Sequence, residues 1–224
     1  MPHMLTAIGE FLPLALGMTL SPLPLIAIVV LVLSANGTGR SLGFMAGRLI
    51  GIAMMLTAMT LAAEALPESS EATTLSGLLK ISLGLGLIYV AARKWRKRPQ
   101  GETEPKVPGW MSSLNTISAP RAFSMGLALT VANPKELAFT LGAAISIGAA
   151  HEQPGAIIVL ALIYTVLSGA SVLAPVILHL VAPGRARSVL GPVQAWLLRH
   201  QSTVVGVVLL ALGVVLISDG LTYL

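Results

Sequence analysis

The amino-acid sequence predicts an all-α integral membrane protein of six transmembrane helices, arranged as two inverted three-helix repeats with both termini outside. Three observations predict it: a shortage of charge, six apolar runs of membrane length, and an interruption repeated at corresponding places in the first and fourth runs. The 224 residues are 55% hydrophobic and only 10% charged, with a mean hydropathy of +0.86. A soluble domain carries roughly 25% charged residues because its surface faces water, so most of this surface faces something apolar. Aromatic residues make up 4%, which leaves Leu, Ala, Val, Ile and Gly as the apolar mass. The 22 glycines and 14 prolines agree, both being more frequent in membrane helices than in soluble ones.

A hydrocarbon core takes about 20 apolar residues to cross. The stretches read as spans are 11–35, 42–63, 75–92, 122–148, 156–181 and 203–218. The opening Met1-Pro2-His3-Met4 has no Lys or Arg, and no small-residue cleavage site follows the first run. That run is therefore expected to stay as a helix and not to be removed as a signal peptide. The second-to-third connection, 64–71, and the fourth-to-fifth, 149–154, contain no Lys or Arg. The third-to-fourth loop opens Arg93-Lys94-Trp95-Arg96-Lys97-Arg98, while the first-to-second turn holds Arg40 and the fifth-to-sixth loop Arg185, Arg187 and Arg199. Cations thus alternate loop by loop, which places the basic central loop in the cytoplasm and the termini outside. The domain division that follows is 1–92 for the first repeat, 93–121 for a basic cytoplasmic linker and 122–224 for the second repeat.

Trp95, Trp110 and Trp196 fall at the expected cytoplasmic boundary, where aromatic anchors sit, and 186–200 reads as a short amphipathic interfacial helix. Gly43, Gly47 and Gly51 form overlapping GxxxG units, and Gly206, Gly213 and Gly220 recur at heptad spacing. Such stripes let helix backbones approach closely.

The matched interruptions are Thr19-Leu20-Ser21-Pro22-Leu23-Pro24 and Val131-Ala132-Asn133-Pro134-Lys135-Glu136. Ser and Asn are favoured helix N-caps and Pro the first helical position, so each reads as a helix starting afresh inside the membrane. The fourth run comes three spans after the first, so the two helices run in opposite senses, the inverted-repeat plan of many transporters. A restarted helix presents free N–H groups and the positive end of its dipole, which suits an anionic group. The alternative is two proline kinks patched locally by Ser21 and Asn133.

Charges inside the spans are the other candidates. Lys135 lies closest to the expected midplane, Arg48 about two turns into the second helix, and Lys80 in the outer half of the third. A centred Lys or Arg costs roughly 2.5–3.5 kcal/mol on insertion scales. Arg48 has the alternative of snorkelling to the cytoplasmic face, and Lys80 of reaching outward to Glu68 or Glu71. Glu136 points about 100° round the helix from Lys135 and is placed to neutralise a neighbouring helix. The single Asp is Asp219, near the C-terminus. With the interior net positive, the expected substrate is an anion rather than a cation or metal. The candidate substrate-binding residues are Ser21, Pro22, Pro24, Arg48, Lys80, Asn133, Pro134, Lys135 and Glu136.

Other chemistries find no support. Cysteine is absent, which excludes disulfides, thiolate metal sites and dithiol electron relay. His3, His151, His179 and His200 lack metal-ligand spacing, no Ser-His-acid pattern occurs, and no GxxxxGK[ST] loop is present. No enzyme, cofactor or metal is expected. The net charge of +5 comes from cations beside apolar spans, so no nucleic-acid partner is needed to explain it.

Ser21-Pro22-Leu23-Pro24 followed by Gly37-Thr38-Gly39-Arg40-Ser41-Leu42-Gly43-Phe44-Met45-Ala46-Gly47-Arg48 resembles the first helix hairpin of the lysine-exporter superfamily, and Asn133-Pro134-Lys135 the opening of its second half. The Ser-Pro form of the motif, the basic central loop and the length are most similar to the GAP family, the peptidoglycolipid- and sulfolipid-addressing proteins. The resemblance implies a multi-pass plasma-membrane (inner-membrane) protein that helps move cell-envelope lipids outward, and the charge pattern makes the expected lipid anionic. The alternatives kept open are export of a small solute such as an amino acid, and a non-transporting scaffold for envelope-lipid assembly. Ser-Pro-Leu-Pro stands where the amino-acid exporters tend to carry Pro-Gly-Pro. Partners consistent with this reading are membrane lipids, envelope-lipid synthesis or export proteins, and a second copy of the chain.

Overall fold

Proline sets where helices begin. It lacks an N–H and holds φ near −65°, which suits the first turn of a helix. The helices opening at Pro22, Ala119, Pro134 and Pro154 all carry it at the first or second position. The structure, a computed structural model, describes residues 2–65, 72–96, 114, 116–150 and 153–221. Among these the regular structure is entirely helical. In order it comprises α1 (Pro2–Thr19), α2 (Pro22–Leu33), α3 (Gly37–Ala65), α4 (Ala72–Arg96), α5 (Ala119–Val131), α6 (Pro134–Ala149), α7 (Pro154–Val181) and α8 (Pro183–Leu221).

Both expected interruptions are breaks. α1 stops at Thr19 and α2 restarts at Pro22, bent by 55°, and α5 stops at Val131 with α6 restarting at Pro134. A broken helix followed by two long ones therefore occurs twice along the chain. Two helices are long and apolar enough to cross a membrane, Gly37–Ala62 and Pro154–Val181, and the bent α1–α2 pair makes a third span if taken as one. Leu5, Met54, Leu61, Ile158 and Leu162 are each more than half exposed, an apolar exterior that suits lipid and not water. Trp95 and Trp196 are also exposed. Trp110 and most of the basic central loop lie outside the described residues.

By its internal contacts the chain divides into two units, Met1–Leu66 with Lys106–Leu198, and Pro67–Pro105 with Arg199–Leu224. Each draws on both sequence halves. In the first, α2 is the centre. Its sequence has no polar residue, so it has no face to turn outward, and every residue from Ile26 to Val32 is buried. Phe44 of α3, Ala122 of α5, Val172 and Val176 of α7 and Leu190 of α8 pack in the same cluster. α2 turns into α3 through Asn36, which takes a left-handed φ of 56°, a conformation Asn tolerates better than most residues.

The first glycine stripe is a packing face. A Cβ on Gly43 would stand 2.5 Å from the Ala119 carbonyl oxygen, one on Gly47 would run into that of Phe123, and one on Gly126 into that of Phe44. α3 and α5 thus approach to backbone contact, as small-residue stripes allow. In the second unit, Gly213 and Gly220 serve the same purpose against α4, while a Cβ on Gly206 would make only ordinary contact at 3.7 Å. A Cβ on Gly213 would lie 2.7 Å from the Gly84 carbonyl oxygen, and one on Gly220 2.8 Å from that of Gly77.

The stretch 186–200, expected as a separate interfacial helix, is the first part of α8. No Gly or Pro lies between 193 and 205 to interrupt it. Ala186, Leu190 and Leu197 are buried, while Arg185, Arg187 and Arg199 are exposed together with Val189, Val193 and Trp196.

Candidate functional site

The two breaks meet inside the first unit, and the charged residues next to them make the contact. Asn133 is the N-cap of α6, its side chain accepting from the Lys135 backbone N–H at 3.1 Å. Pro134 and Lys135 follow, and Glu136 takes the third helical position. An Asn-x-x-Glu run of this kind commonly closes on itself as a capping box. Here Glu136 reaches away instead. It is fully buried, and its carboxylate accepts from Arg48 Nη1 of α3 at 2.9 and 3.1 Å and from the Ser21 hydroxyl at 3.0 Å.

Ser21 is the N-cap of α2, yet its side chain makes no capping bond. Its hydroxyl is spent on Glu136, which ties the first break to the second. Lys135 completes the tie from the opposite direction. Its Nζ donates to the Gly17 carbonyl in the last turn of α1, at 3.1 Å, and lies 5.5 Å from the Phe139 ring centroid. The cation therefore sits at the negative end of the α1 dipole, and the carboxylate at the positive end of the α6 dipole. A Cβ on Gly17 would meet Phe139 at 2.5 Å, so this glycine lets α6 lie against α1 at this level.

Much of the exposed backbone at the breaks is already satisfied. Leu20 N–H donates to Leu16, Ser21 N–H to Met18, Ala132 N–H to Ala128 and Leu25 N–H to Ser21. Pro22, Pro24 and Pro134 have no N–H to offer. The expected array of free amides thus shrinks, and the donors pointed into the junction are chiefly side chains. Foremost is Arg48, fully buried and held by Glu136 and by the Thr130 hydroxyl at 3.2 Å, with its Nε and Nη2 atoms unpartnered among the described residues.

Ser21, Arg48, Asn133, Lys135 and Glu136 are thus brought together, with Pro22 and Pro24 buried and Pro134 exposed at the starts of α2 and α6. The side chain of Lys80 lies outside the described residues, as do Glu68 and Glu71. Arg48 does not snorkel to a face: it ends in the buried pair. The wall of the junction includes residues that sequence patterns did not single out. Tyr164 of α7 donates to Met18 Sδ at 3.0 Å and lies 3.4 Å from the Thr140 hydroxyl. Thr19 at the end of α1 donates to the Leu167 carbonyl of α7 at 2.6 Å. The available signal was a run of hydroxyls inside otherwise apolar helices, Thr140 one turn beyond Glu136, and Tyr164, Thr165 and Ser168 in α7.

The apolar exterior, the bent helix pair and the charge buried where two helix ends meet define a helical membrane protein with a polar centre. Within that class the chain belongs to the sulfolipid-1-addressing protein (Sap) family, whose model matches residues 11–222. No curated protein and no solved structure is significantly similar to it.

Proposed function

We propose that this protein is a plasma-membrane transporter or flippase that moves an anionic envelope glycolipid, or its precursor, across the bilayer. In this reading the chain crosses six times as two inverted three-helix halves, with the termini outside and the basic loop in the cytoplasm. The headgroup binds at the junction of the two restarted helices. Asn133 caps the start of α6, Ser21 ties the start of α2 to Glu136, Lys135 supplies the counter-charge, and Arg48, held by Glu136, assists. Rocking of one half against the other alternates the exposure of the site.

The observation that carries this reading is the buried Arg48 guanidinium, with two of its nitrogens unpartnered among the described residues, set between two helix breaks. Compensation of helix ends accounts for Lys135 on α1 and for Glu136 on α6. It leaves the open edge of Arg48 unaccounted for, and a charge at that depth is expensive enough to mark a functional place. The family's name, which speaks of a sulfolipid, supports an anion on an apolar anchor as the substrate class.

The test is an envelope-lipid profile of a deletion strain complemented with wild-type protein or with Lys135→Met. Deletion is expected to remove one anionic lipid from the outer envelope while its precursor accumulates inside. Lys135→Met should reduce its outward movement by about tenfold or more, the equivalent of one lost charge contact of about 1.4 kcal/mol. An unchanged lipid profile on deletion overturns the proposal. Full rescue by Lys135→Met, with failure on removal of the basic loop, points to a scaffold instead.

A further inference from the structure

A guanidinium presents five N–H donors in a flat fork. In Arg48 one nitrogen, Nη1, is taken up by Glu136 and Thr130. The acceptors there are themselves held. Ser21 donates to Glu136 Oε1, and the Thr130 hydroxyl donates to the Gly126 carbonyl at 2.9 Å, which keeps its lone pairs toward Arg48. The other two nitrogens, Nε and Nη2, are buried without a partner among the described residues. Buried donors are rarely left open, since each has given up its bond to water. These two share one edge of the fork, whose parallel N–H groups match two oxygens of a single carboxylate, sulfate or phosphate.

The charges around the edge limit what it takes. Arg48 and Lys135 are two cations, and Glu136 is the carboxylate hydrogen-bonded with Arg48 in the same junction. One positive charge is left over, and one negative charge neutralises it.

We infer that the Nε–Nη2 edge of Arg48 reads the headgroup, and that its ligand is a monoanionic group with two oxygens to offer: a sulfate monoester, a phosphodiester or a carboxylate. A halide has no second acceptor for the edge, and a phosphate monoester brings close to two charges. The inference rests on the transport reading and narrows its substrate class.

The experiment uses the full chain purified in a non-ionic detergent. Its thermal unfolding is followed in methyl sulfate, acetate and chloride at equal ionic strength. Methyl sulfate and acetate should raise the midpoint by about 2–4 °C beyond chloride. In Arg48→Lys, which keeps the charge and loses the edge, that difference should vanish. Should this variant not fold, the double variant R48Q/E136Q removes both buried charges and makes the same test. Equal midpoints in methyl sulfate and chloride overturn the inference, as does an undiminished response in the variant.

Native mass spectrometry after incubation with phosphatidylcholine vesicles, doped with a sulfated galactolipid or its unsulfated parent, identifies the source of the group. Retention of the sulfated form by about tenfold over the parent supports a lipid. An anion response without it keeps the edge and assigns it to a free solute. A deletion strain with normal envelope lipids but an intact anion response removes the transport reading alone. Altered lipids with no anion response remove this inference alone.

Discussion

Arg48 lies eleven residues beyond the start of α3 at Gly37, about 16 Å along the axis at 1.5 Å per residue. Its companions at helical spacing, Phe44, Ile52 and Leu56, are all buried, and Gly47 and Gly51 border the same face. That stripe is the signal by which its burial could have been read, since a residue in phase with a packing face does not turn outward. Its partner could not be read the same way: Glu136 is 88 positions away. A buried ion pair adds little over an apolar pair but is costly to break from one side. Arg48→Gln and Glu136→Gln alone should each lower stability by about 3 kcal/mol. The double variant should recover most of that, read as the unfolding midpoint in detergent. Additive losses in the double variant would count against the pair. Asn133→Ala, which removes only a cap, should cost about 1 kcal/mol by the same measurement.

Among the elements, the broken helices were the most legible, because Ser-Pro and Asn-Pro act on their own backbone whatever the surroundings. The use made of the first cap was not legible: Ser21 reads as a helix cap and is instead a donor to Glu136. The glycine stripes were legible as faces, but their partners, α5 for one and α4 for the other, required coordinates. The space at each glycine gives a graded prediction for α3. Gly47→Val has nowhere to go against the Phe123 carbonyl and should cost about 3 kcal/mol or more. Gly51→Ala meets the Leu127 and Thr130 side chains at 3.2 Å and should cost less. Gly39→Ala meets nothing within 4 Å and should be neutral or mildly stabilising, since Ala is the better helix former. Thermal unfolding of the three variants should rank them in that order.

For the whole molecule, the proposed topology places the turn before α3 in the cytoplasm and the turn before α7 outside. The chain has no cysteine of its own, so single cysteines report cleanly. Gly39 and Gly155 have open space where a side chain would start. In intact cells an impermeant maleimide should label Gly155→Cys and leave Gly39→Cys unlabelled until the membrane is permeabilised. Labelling of both in intact cells would sink the inverted arrangement. The arrangement also bears on why the contact-based units cross the sequence halves. Helices of one half pack on those of the other, α3 on α5 through glycine and α1 on α6 through Gly17 and Phe139.

The sequence by itself determined the helical membrane character, the two breaks and the glycine faces. Each of these depends on composition or on backbone preferences acting within a few residues. Only the tertiary structure decided what the polar residues do. It set Glu136 on Arg48, Ser21 on Glu136 and Lys135 on the end of α1, pairings that span 88 to 118 positions. A side chain buried in an apolar bundle must satisfy its charge or hydrogen bonds with whatever the folded chain brings within about 3 Å, and no local pattern specifies that neighbour.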